Sequence, residues 1–354
     1  MAIEIYSTDT DSGQITVVRK EAGGYEHITS IPVGNAPRGG VKFTRDGRGF
    51  VSNTSTNSVS EIDALTHREV ARITVGSGPR GLGILPGDRY MLVSNSGSNT
   101  VSVVDLESRE ELTQVAVGRD PRHMAIVGNA AYVSIWGSGY ISKIDISGLG
   151  SGDFSNVREV ARIRVQENSH PYSLNVDRSG RYALVACNSV DYVPVIDLTT
   201  DKVVHRVPVT SQGGRAVAFS PDNAYALVTL ERESVIAVID MDTFQVTRYL
   251  PTGPSPRGIA VDESDFTVYS SAFARGAVMH AGQPGSMPHA ITVVQLEDVD
   301  LGVGDDSGRQ PVFTDIPVGF GPCSVSLFDT DRVSLDNVNI SAEQIADSSV
   351  GSAG

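Results

Sequence analysis

Short apolar segments separated by turn residues repeat along the chain. Between residues 31 and 75 these segments are GVKFT (40–44), GFVSN (49–53), VSEID (59–63) and EVARITV (69–75). Each is rich in Val, Ile or Phe and bounded by turn residues, which is typical of short strands joined by hairpins. None has the length or the helical apolar spacing of an amphipathic helix. The pattern therefore predicts a four-stranded antiparallel sheet.

The same unit returns along nearly the whole chain. The dipeptide Pro37-Arg38 recurs 42 residues later as Pro79-Arg80, and its further equivalents are Pro121-Arg122, Pro171-Tyr172, Gly214-Arg215, Pro256-Arg257 and Pro322-Cys323. A four-stranded repeat of about 40–45 residues is the signature of a propeller blade, which buries its faces only against neighbouring blades.

The two ends of the chain supply complementary parts of one more blade. The first strands along the chain (3–7, 15–19 and 27–33) correspond to strands two to four, and the segment 323–328 corresponds to a first strand. Joining them leaves no open sheet edge in the ring. We predict an all-β, seven-bladed β-propeller of four-stranded antiparallel blades, closed by the N- and C-terminal strands. Residues 1–340 are predicted to form this single domain, and residues 341–354, which are small and polar, a disordered tail.

The repeat V-G-x-x-P-R-G-x-x-F-x-x-D-G-x-x-x-V-S-N-x-x-x-N-x-V-S-x-I-D resembles the YVTN-type β-propeller repeat family from residue 3 to about residue 335. The resemblance implies the propeller fold. The broad group includes surface-layer-like and dehydrogenase-associated proteins. Propellers of similar repeat design include lactonases and a lyase that opens cyclic depsipeptides. A resemblance at the level of the fold does not choose among these activities.

Charge and hydropathy exclude several classes of partner. The 42 acidic and 28 basic residues give a net charge of −14, which argues against nucleic acid and against an anionic membrane surface as partners. The first ten residues lack the basic and apolar regions of a signal peptide, and no apolar run is long enough to span a membrane. A cytoplasmic protein is expected, in which Cys187 and Cys323 are free thiols.

The repeated Pro-Arg turns place an arginine on five of the seven blades at one end of the ring, here called the top. These residues, the arginine ring, are Arg38, Arg80, Arg122, Arg215 and Arg257. Guanidinium groups gathered around one axis repel each other unless an anion or carboxylates lie among them. They therefore predict binding of a carboxylate or phosphate ligand. The alternative, of equal weight, is a repeat-consensus turn residue that pairs locally with neighbouring blades.

Four histidines and two aromatic residues are expected on the same face. His123, His170, His280 and His289 are candidates for acid–base catalysis, because imidazole titrates near neutral pH. Tyr172 and Trp136 are candidates for contact with the ligand. Histidines that are merely hydrogen-bonded in loops are the alternative, and no two of the four have the close spacing of a metal site. The insertion at 272–290 is expected to cover the top pocket as a lid.

Together these residues favour an enzyme that acts on an anionic small molecule by acid–base chemistry, as a lyase, isomerase, cyclase or hydrolase. No cofactor is predicted, and a divalent metal remains a weaker option. The alternatives are a non-catalytic ligand-binding or protein-interaction propeller and a metal-dependent propeller related to lactonases. Residues 76–81 match G-x-G-x-x-G, but a dinucleotide site needs that motif between a strand and a helix, and here it joins two strands.

Overall fold

Seven four-stranded antiparallel sheets form a closed ring, as the repeats predict. The structure, a computed structural model, describes residues 3–152, 154–273, 289–302 and 309–332. The predicted tail at 341–354 and most of the predicted lid lie outside these ranges. Apart from three short 3₁₀ turns (Ser147–Ser151, Phe154–Asn156 and Thr330–Arg332), the described secondary structure is entirely β.

Blades one to three follow the chain in order. Blade one contains β4 (Pro37–Phe43), β5 (Arg48–Asn53), β6 (Ser58–Asp63) and β7 (Arg68–Thr74). Blade two contains β8 (Pro79–Ile84), β9 (Tyr90–Asn95), β10 (Thr100–Asp105) and β11 (Glu110–Ala116). Blade three contains β12 (Pro121–Val127), β13 (Ala130–Ile135), β14 (Tyr140–Asp145) and β15 (Arg158–Arg164).

Blades four to six repeat the arrangement. Blade four contains β16 (Pro171–Val176), β17 (Tyr182–Cys187), β18 (Tyr192–Asp197) and β19 (Lys202–Pro208). Blade five contains β20 (Gly214–Phe219), β21 (Tyr225–Leu230), β22 (Val235–Asp240) and β23 (Gln245–Pro251). Blade six contains β24 (Pro256–Asp262), β25 (Thr267–Ala272), β26 (Ala290–Gln295) and β27 (Val312–Pro317).

Blade seven is built from both ends of the chain. Its order is β28-β1-β2-β3, with β28 (Pro322–Asp329) followed by β1 (Ile3–Asp9), β2 (Gln14–Glu21) and β3 (Gly24–Pro32). The predicted closure by the terminal strands is therefore confirmed. The first strands of neighbouring blades contact each other around the central channel. The Pro-Arg dipeptides begin these inner strands rather than preceding them, because the ladder already pairs Pro37 with Asn53 and Pro79 with Asn95.

The recurring Ser-Asn of the second strand explains how this register is held. Ser52 Oγ donates to the backbone carbonyls of both Arg38, at 2.7 Å, and Arg80, at 2.6 Å, and so ties the inner strands of blades one and two together. Asn53 Nδ2 donates to hydroxyls of the third strand, including Ser60 Oγ at 2.7 Å. Both residues are buried, and these hydrogen bonds stabilise the packing of the ring, whereas Asn53 Oδ1 has no partner among the described residues.

Ion pairs join neighbouring blades on the outer side of this ring. Glu61 of blade one is buried and accepts two hydrogen bonds from Arg109 of blade two, at 2.6 and 3.1 Å. The Glu4 carboxylate of blade seven accepts from His67 of blade one at 2.9 Å. Breaking such a pair leaves a buried charge without its partner, which is strongly destabilising. No described helix is long and apolar enough to cross a membrane.

Asp9 occupies the blade-seven position at which blades one and two carry Asn53 and Asn95. Its buried carboxylate accepts from Ser7 Oγ at 2.7 Å, from Thr16 Oγ1 at 2.5 Å and from the Gly319 backbone amide at 3.1 Å. Burial raises the pKa of Asp9 from 3.8 to about 6, against these hydrogen bonds. Asp9 therefore links β1 to the segment that leads into β28, and its ionisation opposes folding.

Replacing Asp9 with asparagine should change how stability depends on pH. Because the folded chain raises the pKa of Asp9, its stabilising contribution is complete below about pH 4 and is lost as pH rises through about 6. Asp9→Asn should remove this loss, roughly 2–3 kcal/mol, so its advantage over wild type should grow from pH 4 to pH 7. Urea unfolding across this range measures the difference. Exposed Asp242→Asn is the control, and an advantage of Asp9→Asn that does not change with pH would contradict the prediction.

Candidate functional site

Two layers of inner-strand residues line the central channel, and nearly all of them are small. The upper layer contains Gly40, Gly81, His123, Ser173, Ala216, Gly258 and Ser324. The strand registers place the lower layer at Lys42, Gly83, Ala125, Asn175, Ala218, Ala260 and Ser326. His123 and Lys42 are the titratable exceptions in these two layers. The structure thus brings one histidine and one lysine together in a channel that is otherwise lined by small residues.

A cavity of about 170 Å³, here called the chamber, lies at this level of the channel. Its lining includes Lys42, His123, Tyr172, Arg215 and Arg257. A second cavity of about 540 Å³ opens at the other end of the channel and shares Lys42 with the chamber. Lys42 therefore lies between the two cavities, below the arginine ring.

Three members of the arginine ring are paired with carboxylates. Glu231 lies between Arg215 and Arg257, bonds the first through Oε2, and accepts from Nε and Nη2 of the second at 2.9 and 2.7 Å. Burial lowers the pKa of Arg257, but the charge and hydrogen bonds of Glu231, together with the neighbouring Cys323 and Tyr172, raise that pKa overall. Arg122 Nη2 bonds Asp120 Oδ2 at 2.7 Å. For these three residues, the local-pairing alternative describes the contacts.

Arg38 and Arg80 differ from the other three. Among the described residues neither guanidinium has a hydrogen-bonding or ionic partner, and Arg38 Nε together with Arg80 Nε and Nη1 is buried. Burial, with the neighbouring charges of Arg122 and Arg38, lowers the pKa of Arg80 to about 10. A buried donor without an acceptor is costly, and a buried charge without a counter-charge is more so. These two arginines, on adjacent blades one and two, therefore have unfilled capacity for an anion.

The electrostatics of the chamber are strongly positive. Burial, followed by the charges of Lys42, Arg122 and Arg80, lowers the pKa of His123 to about 3, so the imidazole is neutral at pH 7. Lys42 is exposed to the channel but surrounded by protein, and desolvation lowers its pKa as well. In the described part of the chain neither side chain has a hydrogen-bonding partner. An anion in the chamber would reverse these shifts, because opposite charge favours the protonated forms.

Aromatic side chains form one wall of the site. The guanidinium carbons of Arg122 and Arg215 lie 5.4 and 4.5 Å from the centroid of the Tyr172 ring, and His123 packs against the same ring at 5.4 Å. Trp136 stacks on His170 at 4.2 Å and donates its indole N–H to Asn188 at 2.9 Å. Tyr172 therefore contacts the cationic groups directly. Trp136 contacts Arg122, whose guanidinium carbon lies 5.0 Å from the centroid of the indole ring.

The four candidate histidines are not gathered at one point. His123 lies in the chamber, whereas the Nδ1 atom of His170 bonds Ser189 Oγ at 2.8 Å beside Trp136. His289 Nδ1 accepts from the Gly321 amide at 3.3 Å and packs on Phe320, at the contact of blades six and seven. Neither His170 nor His289 lines the chamber, and His280 lies outside the described residues. Of the described candidates, His123 is thus the one placed to contact a ligand in the channel.

Sequence reasoning did not identify Lys42 or Glu231 as residues of the site. Aligning the first strands would have shown Lys42, because the equivalent positions carry Gly, Ala, Asn or Ser. Cys323 replaces a ring arginine, and its buried thiol lines the chamber. The other cysteine, Cys187, is also free and buried, and burial raises the pKa of its thiol. In the described residues no cluster of three His, Cys, Asp or Glu side chains could hold a metal ion.

One protein-family model matches more than half of the chain. Residues 5–217 match the model of the cytochrome D1 heme domain. The chain belongs to this family. The seven-bladed β-propeller described above is the fold of the cytochrome D1 heme domain family. Membership in the YVTN-type family remains a prediction. No curated protein sequence matches the chain.

Solved propellers of mixed function share the fold. A putative 6-phosphogluconolactonase from Bacteroides uniformis is 17% identical with a TM-score of 0.73, covering 92% of this chain and 99% of its own. Hydrazine synthase from Kuenenia stuttgartiensis is 21% identical with a TM-score of 0.65, covering 84% and 97%. A functionally unknown protein from Desulfotomaculum acetoxidans is 12% identical with a TM-score of 0.69, covering 92% and 98%. At these identities the similarity shows the fold alone.

The name of the cytochrome D1 heme domain family implies a haem, but the described channel does not fit one. His123 has a side chain of a type that ligates haem iron. The chamber around it holds about 170 Å³, below even the roughly 300 Å³ at which pockets for drug-sized ligands begin. The larger cavity has no histidine, cysteine or tyrosine in its described lining, and its Met124 is buried in the core between blades two and three. The function proposed below therefore involves no haem.

Proposed function

We propose that the chain binds a small anionic molecule at the top of the channel, through Arg38 and Arg80, and that His123 exchanges a proton with it. The observation that carries the proposal is the contrast within the arginine ring. Carboxylates pair with Arg122, Arg215 and Arg257, whereas the buried guanidinium nitrogens of Arg38 and Arg80 are without partners in the described residues. A carboxylate or phosphate satisfies both the charge and the donors.

His123 supports acid–base chemistry at this place rather than binding alone. In the free chain its neighbours are cationic, so the imidazole is neutral and able to accept a proton. A bound anion offsets those cations and moves the pKa of His123 upward, towards the range in which proton transfer is efficient. Reaction types that need only proton transfer, such as isomerisation, elimination or hydrolysis, are consistent with this arrangement. Because no carboxylate of the described residues lines the chamber, the charge state of His123 is controlled by the ligand.

Removing one unpartnered arginine should abolish most of the binding. Arg80→Met should weaken the affinity for citrate, phosphate or 6-phosphogluconate by about 10- to 100-fold, because a charge-assisted hydrogen bond contributes roughly 1.5–3 kcal/mol. Titration calorimetry at low ionic strength measures the change. The panel includes 6-phosphogluconate because one structural neighbour is a putative 6-phosphogluconolactonase.

The matched control is Arg72→Met, which removes an arginine of the outer strand β7 that pairs with Glu69. Its affinity should equal that of wild type. Equal binding by wild type and Arg80→Met would remove the anion site from the arginine ring. If no member of the panel binds wild type, the proposed function fails, and a protein-interaction propeller becomes the better hypothesis.

A further inference from the structure

Positive charge continues from the arginine ring down into the chamber, and there it has no counter-charge among the described residues. Lys42 Nζ and the His123 imidazole have no hydrogen-bonding partner in the described chain. The carboxylates that pair with the ring, Glu231 and Asp120, are already bonded to arginines. The lower layer supplies only glycine, alanine, asparagine and serine beside Lys42. An anion on Arg38 and Arg80 alone would leave these two groups unsatisfied.

We propose that the ligand is a dianion whose first acidic group binds Arg38 and Arg80 and whose second enters the chamber between Lys42 and His123. This inference rests on the proposed function and specifies the substrate class. A carboxylate or phosphate in the chamber converts an unpaired lysine into a charge-assisted pair, which is among the stronger polar interactions in proteins. It also stabilises the protonated form of His123 while the ligand is bound.

Geometry limits the size of such a ligand. The ring arginines lie three residues before the lower layer on blades two, three, five and six, and four residues before it on blade one, where the strand pairing shifts between Arg38 and Lys42. Three residues of strand correspond to about 10 Å at roughly 3.3 Å per residue. The chamber volume of about 170 Å³ admits only a few heavy atoms. A short chain with an acidic group at each end fits, whereas a bulky anion does not.

A chain-length series of ligands tests the inference. We expect one member of the linear dicarboxylates from malonate to adipate to bind wild type at least about tenfold more tightly than acetate or butyrate. Lys42→Met should remove this advantage and should weaken monocarboxylate binding less than Arg80→Met does. Arg80→Met should weaken both classes. Titration calorimetry with Lys202→Met, which removes an exposed lysine of the outer strand β19, provides the matched control.

Chemical labelling gives a second readout that does not depend on substitution. The chain has four lysines: Lys20, Lys42, Lys143 and Lys202. Reductive methylation with formaldehyde and a borohydride reductant, followed by mass spectrometry, reports the reactivity of each amine. The preferred dicarboxylate should slow methylation of Lys42 several-fold, and butyrate should not, while Lys202 serves as the internal reference.

The outcomes separate the two proposals. Equal affinity for mono- and dicarboxylates, or a dicarboxylate preference that survives in Lys42→Met, overturns the dianion inference and leaves anion binding at the ring intact. Unchanged methylation of Lys42 with the preferred dicarboxylate bound also overturns it. Absence of binding by every acid in wild type overturns the proposed function and the inference together. A Lys42→Met chain that melts like wild type excludes misfolding as the cause of lost binding, since alanine and glycine occupy the equivalent positions in other blades.

Discussion

Deleting residues 1–33 should abolish cooperative folding. The deletion removes β1, β2 and β3, three of the four strands of blade seven, and leaves β28 alone between blades six and one. On one side it exposes the core formed by Tyr6, Ile15 and Ile31 with blade one. On the other it removes Ile5 and Val18 from the core they share with blade six. Buried side chains of this size contribute roughly 1.5–3 kcal/mol each, so the loss exceeds the total stability of an ordinary domain.

Thermal unfolding followed by circular dichroism measures this effect, and the expected result is insoluble protein or the loss of a sharp transition. Co-expression of residues 1–33 as a separate chain is the matched control, because it restores every strand without the covalent connection. Recovery of soluble, cooperatively unfolding protein would assign the defect to the missing strands. A truncated chain that melts like wild type would mean that blade seven does not close the ring.

The fold follows from the sequence because its determinants are local and repeated. The short β-rich segments predict the strand lengths, the turn residues predict the hairpins, and the spacing of the Pro-Arg dipeptide predicts the blade period. The same assignment holds in every repeat, which strengthens the prediction. Closure of the ring is predicted because the N-terminal segment contains strands two to four of a blade and the C-terminal segment contains the missing first strand. The one displacement, Pro37 and its equivalents at the start of the inner strand instead of in the turn before it, shifts element boundaries and not the topology.

The site was harder to predict because it depends on which side chains meet across blades. The turn Glu231-Arg232-Glu233 is visibly charged, but only the structure shows that Glu231 reaches two ring arginines while Glu233 bonds Thr210. The five arginines look equivalent in the repeat. Arg122 differs through Asp120, two residues before it in the same turn, whereas Arg215 and Arg257 differ through Glu231 of another loop, a contact that no periodicity encodes. His289 likewise carries a plausible catalytic side chain, yet a backbone amide of the next blade occupies its Nδ1.

Glu231 supplies a permanent negative charge to the arginine ring, so its replacement should strongly destabilise the fold. Its side chain, 17% exposed, is shared by Arg215 and Arg257, which are 16% and 17% exposed. Glu231→Gln removes the negative charge and leaves two largely buried guanidinium groups facing each other across blades five and six. Loss of one partner from a buried pair costs about 3–5 kcal/mol, and partial exposure reduces this to roughly 2–4 kcal/mol here.

We therefore expect Glu231→Gln to lower the free energy of unfolding by about that amount in anion-free buffer, as measured by urea denaturation. A bound carboxylate or phosphate should take over the role of Glu231 and recover part of the loss. At a ligand concentration about 100 times Kd, the linked stabilisation is about 2.7 kcal/mol. Glu233→Gln, in the same turn but exposed, should show neither the loss nor the additional recovery.

Comparing how much added anion stabilises Glu231→Gln and wild type shows which ring arginines bind the ligand. If added anion stabilises Glu231→Gln more than wild type, the variant has gained a second anion position at Arg215 and Arg257, and Glu231 normally confines the ligand to Arg38 and Arg80. If both proteins gain equally, the ligand does not use the vacated position. A Glu231→Gln chain that unfolds like wild type would contradict the electrostatic account of the ring, because five guanidinium groups would then be tolerated with two fewer ion pairs.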